Sequence, residues 1–232
     1  MYMKVKLVGR TGSDDFPGTA LSVPIVMNGT KPDIEAIEGS GAQAAYYDPA
    51  LMNPADLDKL KQHNITLIPI GGDNLDEFVR SVYAAAAMSG AETNTNEYVQ
   101  NYIYGKLASS TVPGSPTVAF ILPGQGSEHM IAGTNSFQAD ILRRLGSKPV
   151  GPDAKIFVPM NVEQLIKDEP QVILVAGDPS LIVKDPRLAG LKAVKQNRVY
   201  GMRQDIALRE GARVPDFIQA AGEALNLAVK SQ

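Results

Sequence analysis

Two glutamates occupy matched places in this chain. Glu35 stands two residues after Asp33, and Glu163 stands two residues after Asn161. Asp and Asn cap helix N-termini because their short side chains accept hydrogen bonds from the first free amides. A carboxylate in the first turn interacts favourably with the helix dipole, by about 0.3–1 kcal/mol. The same carboxylate left in solvent offers a charge to a basic partner. The surroundings of both also repeat in outline. Pro32-Asp33-Ile34-Glu35-Ala36-Ile37 leads through an apolar stretch to Asp48-Pro49-Ala50-Leu51. Pro159, then Asn161-Val162-Glu163-Gln164-Leu165, leads through Val172-Ile173-Leu174-Val175-Ala176 to Asp178-Pro179-Ser180-Leu181. Each reads as a cap, a short helix, a buried strand and an Asp-Pro turn. A unit used twice predicts two similar α/β lobes, and a cleft between lobes is a place where small ligands bind. Two readings of the glutamates stay open. They serve the helix dipole, or they stand exposed as two anionic studs for a two-fold symmetric partner with basic sockets.

Other residues could contact a ligand. Tyr46 and Tyr47 end the strand of the first repeated unit, where residues line the crevice of a parallel sheet. One is expected in the core and the other in the cleft. Arg203, Arg209 and Arg213 cluster near the C-terminus; the planar guanidinium suits carboxylates and other delocalised anions. One of the three is expected to meet ligand, with Arg213 the more structural. His129 follows a glycine loop and reads either as a pocket residue or as a satisfied structural histidine. His63 sits near the end of a surface helix.

Several chemistries are disfavoured. The chain has no cysteine, which removes disulfides, thiolate metal sites and thiol catalysis. Two histidines make a poor transition-metal site, and no cofactor is expected. Gly124-Gln125-Gly126 lacks the third glycine and the lysine of a phosphate loop. Ser127, Glu128 and His129 are adjacent, but a hydrolase triad is assembled from distant positions and no Gly-x-Ser-x-Gly elbow is present. The net charge of −3 comes with no basic stripe, so a nucleic-acid partner is not expected. The apolar runs are too short to span a bilayer. Met1-Tyr2-Met3-Lys4 runs straight into Val5-Lys6-Leu7-Val8 without a signal peptide; the protein is cytosolic or a leader has been removed.

The elements that must position these residues alternate. A strand is expected from Lys4 to Val8, followed by a long turn-rich connection. Asn53 caps a helix with Pro54 at its first position, Asn64 closes it, and Ile65 to Ile70 forms a strand. Asn74 with Glu77 resembles a capping box before a helix that faces Leu75, Phe78, Val79, Val82, Tyr83 and Ala86 inward and stops at Gly90. A further helix runs from Thr95 to Ser109, and Thr111 to Pro116 is a linker. Strands from Thr117 to Leu122 and His129 to Ala132 follow, then a helix from Ser136 to Leu145 stopped by Gly146. After the second repeated unit come a short strand at Arg198 to Tyr200 and a last helix from Pro215 to Val229. This alternation predicts mainly parallel sheets flanked by helices.

Several strings, taken in order, resemble substrate-binding proteins of ABC importers. Val8-Gly9-Arg10-Thr11, Asp15-Phe16-Pro17 and Val23-Pro24-Ile25-Val26 are similar to the family's opening, and Gly133-Thr134-Asn135-Ser136-Phe137 to its strand-to-helix step. Leu191-Lys192-Ala193-Val194-Lys195-Gln196-Asn197-Arg198-Val199-Tyr200 is the most specific match. The class resembled has one rigid helix between its lobes and takes up ferric siderophores, cobalamin and haem. The resemblance implies docking of Glu35 and Glu163 on arginines of a membrane permease dimer, an interlobe helix from Thr95 to Ser109, and a cleft aromatic at Tyr47. The family's usual first strand and helix have no match, so the resemblance implies a first lobe lacking them and leaves self-association open there. Absence of tryptophan tells slightly against a cobalamin pocket built on indole stacking.

The sequence is expected to divide into an N-terminal lobe over residues 1–92, an interlobe helix and linker over 93–115, and a C-terminal lobe over 116–232. The expected function is capture of an iron chelate (siderophore or haem), or of a corrinoid, without catalysis. Tyr46, Tyr47, Gln125, His129, Met130, Arg203 and Arg209 are the expected ligand contacts. The expected place is periplasmic or membrane-anchored outside the cell. The alternatives are a cytosolic α/β enzyme and a ligand sensor that does not transport.

Overall fold

The computed structural model describes residues 6–49, 51–126 and 128–230. The sequence readings that involve Lys4, Val5, Ala50 and Ser127 fall in part outside these residues. Two compact units are present: residues 1–71 with 78–96, and residues 72–77 with 97–232.

The first unit contains β1 (Arg10–Thr11), a 3-10 turn (Gly18–Ser22), β2 (Ile25–Asn28), β3 (Lys31–Pro32), α1 (Ile34–Gly39), β4 (Ala44–Tyr47), α2 (Pro54–Gln62) and β5 (Thr66–Pro69). Strand β2 pairs parallel with β1 and antiparallel with β3, while β4 and β5 form a separate parallel pair. Ile37, Met52, Leu60 and Ile65 form its core, with Val26, Ala45, Tyr47, Leu57 and Leu67 packed around them. Asn53 caps α2 through its side chain, with Pro54 at the first turn, and Asn64 turns the chain at φ 59°. The expected strand from Lys4 to Val8 is corrected: residues 6–9 are irregular, and pairing begins at Arg10. Alternation alone makes no strand without a neighbour to accept its amides.

Helix α3 (Leu75–Ser89) follows, and a second helical run continues as α4 (Glu92–Glu97), a π-helical stretch (Tyr98–Tyr104) and α5 (Gly105–Ser110). Val99, Ile103 and Leu107 are buried along it at four-residue spacing. The Tyr98 phenol donates to Gly211 O at 3.1 Å, and burial pushes its pKa well up, with Asp216 adding to the rise.

The second unit continues with β6 (Thr117–Leu122), β7 (Met130–Ala132), α6 (Phe137–Arg144), β8 (Lys148–Pro149), β9 (Phe157–Pro159), α7 (Val162–Asp168), β10 (Val172–Ala176), α8 (Ser180–Val183), α9 (Lys192–Lys195), β11 (Val199–Met202), α10 (Gln204–Ala207) and α11 (Val214–Lys230). The sheet order is β11-β10-β6-β7-β9. Parallel pairs join β11, β10 and β6, and β8 pairs parallel with the first half of β6. The second half of that same β6 edge pairs antiparallel with β7, which pairs antiparallel with β9. Strand β10 is buried at every residue, which is why it reads as a continuous apolar run rather than an alternating one. Ala119, Ile121, Ile173 and Val175 face one side, with Leu165, Ile182, Leu188 and Leu191 packed there. Phe120 lies against Phe217 of α11, with ring centroids 5.7 Å apart.

Residues 72–77 are tied into this second unit by polar contacts. Gly72 N donates to Glu210 Oε2 at 3.0 Å, Leu75 N donates to Asp140 Oδ2 at 3.0 Å, and Asp76 pairs with Arg144 at 2.9 Å. Glu77 N donates to Asn74 Oδ1 as a capping box requires, but the Glu77 carboxylate accepts from Asp73 N instead of the cap residue's own amide.

Candidate functional site

The two repeated units fold alike in local detail. Asp33 Oδ1 accepts from Ala36 N at 3.0 Å, and Asn161 Oδ1 accepts from Gln164 N at 3.0 Å. Both caps therefore satisfy the amide three residues on, and each leaves its glutamate at the second helical position. Downstream, Leu51 N donates to Asp48 O at 3.1 Å and Leu181 N to Asp178 O at 3.4 Å, so the Asp-Pro turns close in the same way. In the second copy, Ser180 donates to Asp178 from both its hydroxyl and its amide, holding that carboxyl below the usual range. Glu35 and Glu163 are both exposed, and among the described residues neither forms an ion pair. Replacing Asp33 or Asn161 by Ala should cost about 1 kcal/mol each, read as a lowered urea midpoint, whereas Asp33→Asn should be nearly neutral.

The expected ligand contacts separate. At the carboxyl end of β4, Tyr47 packs on the core of the first unit, and Tyr46 is 46% exposed. The strand's alternation places the two rings on opposite faces, so the more exposed aromatic at this strand end is Tyr46 rather than Tyr47. In the second unit, Gln125 is exposed on the loop that leaves β6, and Met130 is half-buried in β7. Arg203 Nε donates to Asp205 Oδ1 at 3.0 Å, and Arg213 Nη1 donates to Asp205 Oδ2 at 2.6 Å. Hydrogen bonding from Arg203, with the charge of Arg213 beside it, holds the Asp205 carboxyl below its ordinary value. Arg213 thus has the structural role expected of it, and Arg203 shares its anchor. Arg209 is half-buried between α10 and α11. His129 is corrected from pocket to core: its side chain has no solvent exposure, and its neighbours are the Gly124 amide and Asp185.

A model of the periplasmic binding protein family matches residues 59–206, more than half of the sequence. The chain belongs to that family. Among similar proteins is an uncharacterized ABC transporter substrate-binding lipoprotein, YvrC of Bacillus subtilis. It is 23% identical over 239 residues, covering 95% of this chain and 73% of the relative. Among solved structures, the periplasmic haem-binding protein BhuT in complex with two haems superposes with a TM-score of 0.83 at 17% identity, over 97% of this chain and 90% of the other. The periplasmic vitamin B12-binding protein BtuF of Vibrio cholerae gives 0.82 at 20% identity, over 97% and 90%. The haem-binding protein RhuT from Roseiflexus sp. RS-1 gives 0.80 at 20% identity, over the same shares. These likenesses establish the fold.

Two features of this periplasmic binding protein had no sequence signal. One is the attachment of residues 72–77 to the second unit, which depends on Asp140, Arg144 and Glu210 much later in the chain. The other is the buried pair His129 and Asp185, with the exposed Arg187 bound to the Asp185 carboxylate. Asp185 accepts from Arg187 Nη2 at 2.6 Å and from the Arg187 amide at 2.9 Å. These bonds hold its carboxyl below the usual range against the opposing effect of burial.

Proposed function

We propose that this periplasmic binding protein is the extracytoplasmic substrate-binding component of an ABC importer. It captures an iron chelate, siderophore or haem, or a corrinoid, and delivers it to a permease dimer in the membrane. The observation that carries this reading is the exposure of an unpaired glutamate at the same position of both copies of the repeat. A two-fold permease with basic sockets fits that pattern. Tyr46 is the contact the first unit offers to ligand, and Gln125, Met130 and Arg209 are those of the second. The haem binding, vitamin B12 binding and ABC substrate binding of the similar proteins support the ligand class. Among the described residues no helix is long and apolar enough to cross a membrane.

A thermal-denaturation screen with ferric siderophores, haem, cobalamin and free metal ions tests the ligand class. A ligand that binds only the native state at a hundred times its Kd stabilises by about 2.7 kcal/mol. One chelate should raise the midpoint, and free ferric or cobalt ions should leave it unmoved. Equal, flat responses to every chelate would refute capture of this ligand class.

A further inference from the structure

We infer that His129 is a positioning residue for the loop leaving β6, and that it holds the loop only as a neutral ring protonated on Nε2. The Gly124 amide donates to His129 Nδ1 at 3.3 Å, so Nδ1 is an acceptor. The proton of the neutral ring must then sit on Nε2. That nitrogen lies 3.3 Å from Asp185 Oδ2 but makes no aligned hydrogen bond. Asp185 is already engaged by Arg187 through Nε, Nη2 and the backbone amide. The ring therefore has one polar bond, and that bond is to the loop.

The loop is built to need it. A Cβ on Gly124 would lie 1.9 Å from the Glu128 carbonyl oxygen, so the chain folds back on itself more tightly than any other residue allows. Gly126 takes the left-handed conformation at φ 63°. Among the described residues, the other bond across the turn is the long one from Glu128 N to Gln125 O at 3.4 Å. His129 itself is fixed on the far side, where Met160 N donates to its carbonyl at 2.9 Å. The clamp thus connects an anchored strand to a loop that carries Gln125.

Protonation removes this bond. An imidazolium carries hydrogens on both nitrogens, so Nδ1 would face the Gly124 N–H donor to donor. Asp185 is the charged group beside Nε2, with Arg187 bound to it; Glu128, next in the chain, is exposed, and the end of β9 contributes Pro159 and Met160, which do not titrate. The one gain open to the charged ring lies toward Asp185, away from the loop. The role of Gln125 in ligand contact rests on the proposed function; the clamp does not.

Nitrogen-15 NMR on the full chain tests the clamp. The His129 ring should show a protonated Nε2 and a bare Nδ1, and the opposite tautomer would overturn the assignment. The Gly124 amide should exchange slowly with solvent. His129→Gln, which reaches toward Asp185 but offers Gly124 no acceptor, should speed that exchange roughly tenfold, the loss of one ordinary hydrogen bond. His129→Asn places an amide oxygen where Nδ1 stood and should restore slow exchange. Equal exchange in all three proteins would overturn the proposal. Haem or cobalamin affinity is read separately: if His129→Gln loosens Gly124 and affinity is unchanged, the clamp stands and Gln125 is removed from the ligand contacts.

Discussion

A Glu35→Arg, Glu163→Arg double variant is expected to bind its chelate as the parent does and to lose delivery almost completely. Both carboxylates are exposed and unpaired within the chain, so the fold does not depend on them beyond the first-turn dipole. Replacing them should change stability by less than about 1 kcal/mol apiece. Docking is different. Truncating one partner of a hydrogen-bonded charge pair buried at an interface costs about 2 kcal/mol or more, roughly a factor of 30 in affinity. Reversing the charge adds repulsion from the socket. Because both studs belong to one chain, the first contact raises the effective concentration of the second. Loss at both sites should therefore multiply rather than add. Glu35→Gln and Glu163→Gln should each weaken stimulation of permease ATP hydrolysis by about tenfold or more, and the double charge reversal should leave none measurable. Glu92→Arg, an exposed first-turn glutamate of α4 outside the repeat, should behave as the parent. Normal delivery by the double variant would refute the docking role.

The parts of this protein legible in its sequence are those fixed by neighbours along the chain. The helix predicted from Ser136 to Leu145 is found with Ser136 as cap and Gly146 at φ 94° beyond its end. Thr117 to Leu122 lies between two prolines and emerges as β6 with those bounds. The capping geometry around Glu35 and Glu163 is local too, and so could be read twice. What was hidden is what distant residues decide. Whether Tyr46 or Tyr47 turns inward depends on the register of β4 against β5. Whether His129 meets ligand or core depends on Asp185, which lies beyond β10 and α8. The amides of residues 72–77 find acceptors in Asp140 and Glu210, and no periodicity marks such a bond. The exposure of the two glutamates followed from their local caps, whereas the inward packing of Tyr47 and the burial of His129 depended on partners far along the chain.

Leu174→Ala should cost the second unit about 3 kcal/mol or more, within the range seen when a fully enclosed leucine is truncated. Leu174 has no exposure, and its strand is hydrogen-bonded on both edges, to β6 and β11. It pairs with Phe120, whose ring lies against Phe217 of α11. Parallel strands fixed on both sides cannot close the gap by shifting, so the void should remain and its cavity cost add to the lost transfer energy. Leu174→Met keeps most of the volume and should cost less than about 1.5 kcal/mol. Leu57→Ala is a comparison in the first unit, where the side chain is half-buried at the edge of its core and the loss should be nearer 1 kcal/mol. Urea denaturation should show these differences in the midpoint with an unchanged slope, since the surface exposed on unfolding is nearly the same. A Leu174→Ala loss no larger than that of Leu57→Ala would mean that this face of the sheet is loosely packed and that the strand relaxes around the gap.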